Sequence, residues 1–144
     1  MWLMGLWPLS QKNRHDNITK SAFGRLTAES TIWALAALLP QKKVHWEAVD
    51  NHTIRVTVAT KLMNQTVDIN VDPSTGKPSE VVFPRWSNAN KDKVFRFQPF
   101  GAKLANFKEV QGFRVPMQVE AGNHYGTADY FPFYQMTIDE IKFD

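Results

Sequence analysis

Glu120 and His124 stand four residues apart at the end of an alternating stretch, the nearest approach to an acid–base pair in the chain. A carboxylate that orients an imidazole also raises its pKa, which is the arrangement a general base requires. The competing reading is that both side chains serve the following turn through hydrogen bonds. A second constellation is Arg85-Trp86, where Arg85 shares strand parity with Val81 and Phe83, so its guanidinium is expected to point inward. An inward arginine needs a carboxylate partner or an anionic ligand, and Glu29 or Glu120 would supply the first. The rings of Trp33, Trp46, Trp86, Phe95, Phe97, Phe100, Phe131 and Phe133 are numerous enough to stack nucleobases. An RNA-reading sheet, however, interleaves exposed rings with Lys and Arg on one face. Here rings and basic residues fall mostly on opposite parities, so core packing is the expectation and nucleic acid is not an expected partner.

Other chemistries lack their residues. The four histidines (His15, His45, His52 and His124) occur singly, with no HxH or HExxH spacing, so no metal site is expected. There is no cysteine, which removes disulfides, thiolate metal sites and a cysteine nucleophile and leaves the compartment open. Neither a nucleophile elbow, nor a phosphate loop, nor a dinucleotide fingerprint is present, so no cofactor is expected.

The elements that must position these residues follow from periodicity. Phe113, Val115, Met117, Val119 and Ala121 alternate with Arg114, Pro116, Gln118 and Glu120, the mark of a half-buried strand. Gly122, Asn123 and Gly126 then allow a turn, and an aromatic strand returns at Tyr130–Tyr134, so that Glu120, His124 and Tyr130 lie at a hairpin rim. Thr27 reads as an N-cap with Glu29 in the first turn, opening a helix over residues 27–39 that Pro40 ends. Within it Trp33 shares a side with Glu29, and Ile32, Leu35 and Leu39 form the denser apolar stripe. The preceding residues 10–20 are polar and read as irregular, with a short helical turn at Lys20–Arg25.

From Val44 the pattern turns to β. Strands are expected over Val44–Asp50, Thr53–Thr60, the Val67–Val71 stretch, Ser79–Trp86, Val94–Phe97, Ala102–Val110, the stretch after Gly112, and Phe131–Phe143. Asp72-Pro-Ser-Thr-Gly76 and Gln111-Gly112 are turn signals. Pro84 marks an edge or a bulge, Pro99-Phe-Gly101 a kink, and a phase change near Asp139 another bulge. The sum is a mainly β (α+β) chain of 144 residues read as a single domain. Its architecture is a curved antiparallel meander of about seven or eight strands with one principal helix on the concave face.

Composition is that of an ordinary globular protein, 43% hydrophobic and 22% charged, with aromatics at 12%. The net charge of +3 is concentrated early, where Lys12, Arg14, Lys20, Arg25, Lys42 and Lys43 face only Asp16 and Glu29. No basic run exceeds two residues, so this reads as a solvated face. The opening MWLMGLWPL is apolar but far short of the ~20 residues a spanning helix needs, and it lacks the basic start of a secretory signal. The chain as written reads as soluble, in the cytoplasm or associated with the cell envelope.

The ordered set EStIW (29–33), ALLP (37–40), VHWEAVD (44–50), VFPRW (82–86), FQPFG (97–101), GFRVP (112–116), VEAGNHYGT (119–127) and YFPFY (130–134) resembles an uncharacterised bacterial family, a domain of unknown function. Its members carry an E-S/T-x-W helix, an RW pair after a strand and a G-x-R-V-P strand. The resemblance covers about residues 20–143. It implies a curved antiparallel sheet with a helix on its concave side, similar in outline to envelope lipoprotein-carrier folds. It also implies further N-terminal strands and anchoring segments in other members, which this chain is expected to lack. No catalytic role comes with it, but Glu29, Trp33, Arg85, Trp86, Glu120 and His124 fall on its motifs. With Tyr130 they form the candidate ligand-binding set.

Three functions follow as expectations. The first is a non-enzymatic binding or carrier module for an apolar or amphiphilic small molecule between helix and sheet, with Arg85 reading an acidic head group. The second is a small enzyme using Glu120 and His124. The third is a scaffold completed by pairing at an open sheet edge, for instance as a homo-oligomer.

Overall fold

A computed structural model describes the chain from residue 7 to residue 142, with side chains from His15 onward. A long helix, α1 (Trp7–Trp33), leads into a 3-10 turn at Leu35–Leu38. Seven strands follow: β1 (Val44–Ala48), β2 (Thr53–Ala59), β3 (Asn64–Val71), β4 (Pro78–Ser87), β5 (Arg96–Val110), β6 (Phe113–Asn123) and β7 (Phe131–Thr137). They form one antiparallel sheet in sequence order, β1 to β7, and α1 lies against one face of it, chiefly over β3 and β4. The mainly β architecture with one principal helix is therefore the one the sequence pattern implies.

The helix starts well before Thr27. Thr27 does not cap it. It sits in the interior with its hydroxyl donating to the Phe23 carbonyl at 2.9 Å, the backbonding that threonine adopts inside helices. The stretch 10–20, read as irregular, is helical as well. Its face toward the sheet carries small residues: Gly24, Thr27, Ala28 and Thr31 are buried, with Ile32 as the single large aliphatic among them. A Cβ on Gly24 would stand 2.7 Å from the Gln65 side chain and 3.5 Å from the Phe83 ring, so helix and sheet meet closely there. After Trp33 the backbone tightens to 3-10 geometry, which moves the phase. Leu38 is buried while Leu35 (52%) and Leu39 (64%) are exposed, against the apolar stripe expected of them. Leu39 takes the extended conformation (φ −54°, ψ 144°) that a residue before proline prefers.

The hairpins close as their turn residues dictate. Asp72 accepts from the Ser74 amide at 2.8 Å and Gly76 takes φ 66°. Gln111 and Gly112 both have positive φ (49° and 85°), the twist-matched two-residue turn. β5 runs unbroken through Pro99–Gly101, where a kink was expected. Pro84 and Pro99 face each other across β4 and β5. This is tolerated because the β3–β4 ladder ends at Asp68–Val82, and the Gln65 side-chain amide donates to the freed Pro84 carbonyl at 3.2 Å. The irregularity of the last strand falls at Ala121/Gly122 opposite Phe133, not near Asp139, and there the β7 backbone passes so close to Gly122 that a side chain would strike the Phe131 carbonyl. β7 ends at Thr137, and Phe143 lies outside the described residues.

The core lies between α1 and the sheet. Val56, Val67 and Val81 are essentially inaccessible, joined by Ile69, Phe83, Ala102, Leu104, Val119 and Ala121 from the sheet and by Ala28, Ile32 and Leu38 from the helical segment. These strand residues occupy alternate positions, so their neighbours Glu80, Lys103 and Glu120, which pair across β4, β5 and β6, share the opposite face.

Candidate functional site

The core is incomplete where α1 passes over β4–β7. A cavity of about 130 Å³ remains there, walled by Ala28, Glu29, Ile32 and Trp33 from the helix and by Val81, Phe83, Arg85, Phe100, Ala102, Val119 and Ala121 from the sheet. Phe133, Tyr134 and Arg25 complete its lining. The space arises from side-chain size: Ala102 and Ala121 pair across β5 and β6, and Ala28 contributes a third small wall from the helix. Its rings form a chain, with Phe83 and Phe100 centred 5.3 Å apart and Phe100 and Phe133 6.1 Å apart.

Arg85 is the charged side chain on the sheet side of this cavity. Strand parity aims it inward, as its spacing from Val81 and Phe83 implies, and its guanidinium carbon lies 4.9 Å from the centre of the Phe100 ring. Neither expected carboxylate pairs with it. Glu29 is held by Arg25 at 2.6 Å, one helical turn away, and Glu120 lies on the other side of the sheet. Among the described residues Arg85 has no ion pair, and its Nε is buried without a hydrogen-bond partner. Burial, followed by the nearby Arg25 charge, pulls its pKa below the ordinary arginine value, and only Glu29 opposes this. The indole N–H of Trp33 is likewise buried and unpartnered.

The remaining candidates are elsewhere. Trp86 donates to the Asn17 side chain at 2.8 Å, carries Lys20 over its ring at 4.8 Å, and packs against Phe95 and Phe97, so it anchors α1 to the sheet. Glu120 takes an ion pair from Lys103 (3.7 Å) and hydrogen bonds from Tyr130 (3.3 Å) and Gln135 (3.4 Å). His124, in the β6–β7 connection at φ 57°, meets the Ala89 carbonyl at 3.2 Å. Glu120 and His124 are thus committed to different partners, and no hydrogen bond joins them. Beside them Tyr125 lies over Gly101 and donates to Glu80 at 2.5 Å, while Asn70 donates to the other Glu80 oxygen at 2.9 Å. Burial first, and then the adjoining carboxylate, pushes the pKa of Tyr125 and of Tyr130 upward. This opposite face is a lattice of satisfied polar groups.

A larger and more open hollow of about 500 Å³ also lies there, beside Val82, Pro84, Phe97 and Pro99. Its charges are already matched, since Arg55 grips Asp68 through two bonds of 2.6 and 2.9 Å. The smaller cavity is the better candidate because it holds the unmatched cation.

Of the residues singled out in the sequence, Glu29, Trp33 and Arg85 line this cavity, whereas Arg25, Phe100, Phe133 and Tyr134, which also line it, were not in that set. The i, i+4 spacing of Arg25 and Glu29 was available in the sequence, but a helix started at Thr27 excludes it. Among the described residues no three His, Asp or Glu side chains converge as a metal site. Among those residues, too, no helix is long and apolar enough to cross a membrane. No curated protein and no solved structure matches the chain. A family model does match, over residues 1–143, and by it the chain belongs to DUF6920, a family of unknown function.

Proposed function

We propose that this chain is a non-enzymatic binding module for a small amphiphilic anion, held between α1 and strands β4–β7. The observation that carries this reading is Arg85, which among the described residues has no carboxylate or hydrogen-bond partner, on the wall of a mainly apolar cavity. Arg85 is half-buried, and an anion placed on its terminal nitrogens would gain charge-assisted hydrogen bonds with little competition from water. Such a ligand binds the folded chain in preference to the unfolded one. The apolar lining receives the rest of the molecule, and Glu29 and Arg25 flank it.

Native mass spectrometry of gently purified protein, followed by solvent extraction, tests the reading. A bound small acid that is lost in Arg85→Met supports it. An apo mass for both proteins, with no stabilisation by any anionic amphiphile in a thermal-shift screen, removes it.

One observation favours a second reading. β7 is an unpaired edge among the described strands, and Phe131 (63%), Phe133 (51%) and Tyr134 (42%) are exposed on it. Edge strands of this kind pair with other chains unless blunted, and Pro132 is the blunting residue here. Light scattering across a dilution series decides it, since a monomer at high concentration rules edge pairing out.

A further inference from the structure

We infer that the ligand of this cavity is a monocarboxylate with a compact apolar body about the size of a benzene ring, seated with its carboxylate on Arg85; the inference rests on the binding reading above and narrows it to one chemical class. Three observations fix the class. The first is charge. Arg25 and Glu29 neutralise each other at 2.6 Å, which leaves Arg85 as a single unmatched positive charge on the wall. A monoanion cancels it. A phosphate monoester, carrying close to two negative charges above pH 7, brings a second charge beside Glu29, and among the described lining residues no further cation is left to meet it.

The second is the shape of the cation. Arg85 Nε is buried against the protein, and no other guanidinium nitrogen is, so approach is left to the two terminal nitrogens. A planar pair of N–H donors matches the two oxygens of a carboxylate in parallel bonds. The Phe100 ring backs the guanidinium, with its centre 4.9 Å from the guanidinium carbon. The third is volume. An engineered apolar cavity of roughly 150 Å³ takes up benzene, and the cavity here is about 130 Å³. Space for a complete long-chain lipid, in the range of several hundred Å³, is not enclosed. The small walls Ala28, Ala102 and Ala121 set the limit.

The test is calorimetric titration of the full chain at pH 8 with benzoate, benzyl alcohol, phenyl phosphate, benzenesulfonate and octanoate. Benzoate is expected to bind at least ten-fold more tightly than each of the others. Arg85→Met is expected to weaken benzoate at least ten-fold, and Ala121→Leu, which fills the space and leaves every charge in place, to do the same. Circular dichroism and urea melts establish that both variants fold; if Ala121→Leu does not, Ala102→Val takes its place with the same expected outcome. Benzyl alcohol binding as well as benzoate overturns the charge argument and leaves the apolar site standing. Tighter binding of phenyl phosphate or benzenesulfonate overturns the carboxylate, and tighter binding of octanoate overturns the size limit. If none of the five probes binds, the inference is refuted; whether the broader reading falls as well is then decided by the extraction experiment above.

Discussion

Replacing Arg85 by methionine is expected to stabilise the ligand-free protein, the reverse of what removing a structural arginine does. The wild-type side chain keeps a buried Nε–H with no acceptor, and an orphaned buried donor costs about 1–3 kcal/mol. Against that stands the contact with the Phe100 ring at 4.9 Å, for which about 1 kcal/mol is a fair figure at a half-buried site. Methionine retains most of the aliphatic stem and adapts to irregular space, so the packing contribution changes little. The balance favours the variant by about 1 kcal/mol, which for a chain of this length raises Tm by roughly 3–5 °C. Urea unfolding followed by tryptophan fluorescence measures it, with an unchanged slope required if the denatured state is not to confuse the result. Arg55→Met is the internal control. Arg55 is paired through two bonds to Asp68 on the other face, and its loss is expected to destabilise by about 1 kcal/mol. If Arg85→Met instead loses 1 kcal/mol or more, Arg85 holds the fold together and the argument for a ligand loses its foundation.

Gly101→Ala is expected to destabilise by about 1–3 kcal/mol, because its Cβ would stand within clashing distance of the Tyr125 ring and drive it from Glu80; chemical denaturation reads the loss. Of the three tyrosines, Tyr125 and Tyr130 should ionise above the ordinary phenol value of about 10, which ultraviolet titration detects. Because their folded pKa values are raised, the stability they contribute is complete below about pH 10 and is lost as pH climbs through the folded values. Asp72 behaves oppositely. The Ser74 hydroxyl and then its amide hold the Asp72 carboxyl below the usual range, so its contribution to the β3–β4 turn is present above about pH 4 and disappears on further acidification. Carboxyl carbon shifts in an NMR titration follow it directly.

The sheet was legible because its signals are local. Alternation along Val115–Ala121 and the turn residues Asp72–Gly76 and Gln111-Gly112 each act within a few positions, and the register then follows. The true extent of α1 was not legible for a physical reason. Its buried face at Gly24, Thr27, Ala28 and Thr31 forms no apolar stripe, so periodicity gives no signal to carry the helix back from Ile32 past Thr27. That error removed Arg25 from view and left Glu29 available, on paper, to pair with Arg85. The inward aim of Arg85 came directly from strand parity. The same parity places Glu120, flanked by the buried Val119 and Ala121, on the far face and away from any chamber. Phe133 and Tyr134 both reach the cavity because the offset at Ala121/Gly122 puts two successive residues on one side, which strict alternation forbids.

The way α1 is fastened has a mechanical consequence. Trp86 grips Asn17 near the middle of α1, and in the 3-10 turn beyond its last residue the Leu38 carbonyl accepts from the Trp46 indole at 2.7 Å. Between these two moorings the hydroxyls of Thr27 and Thr31 turn back onto their own helix and tie nothing to the strands. Among the described residues the roof of the chamber is thus held by side-chain hydrogen bonds only outside the chamber, and over it by packing alone, so its closure depends on how well Gly24, Ala28 and Ile32 fit the strands beneath.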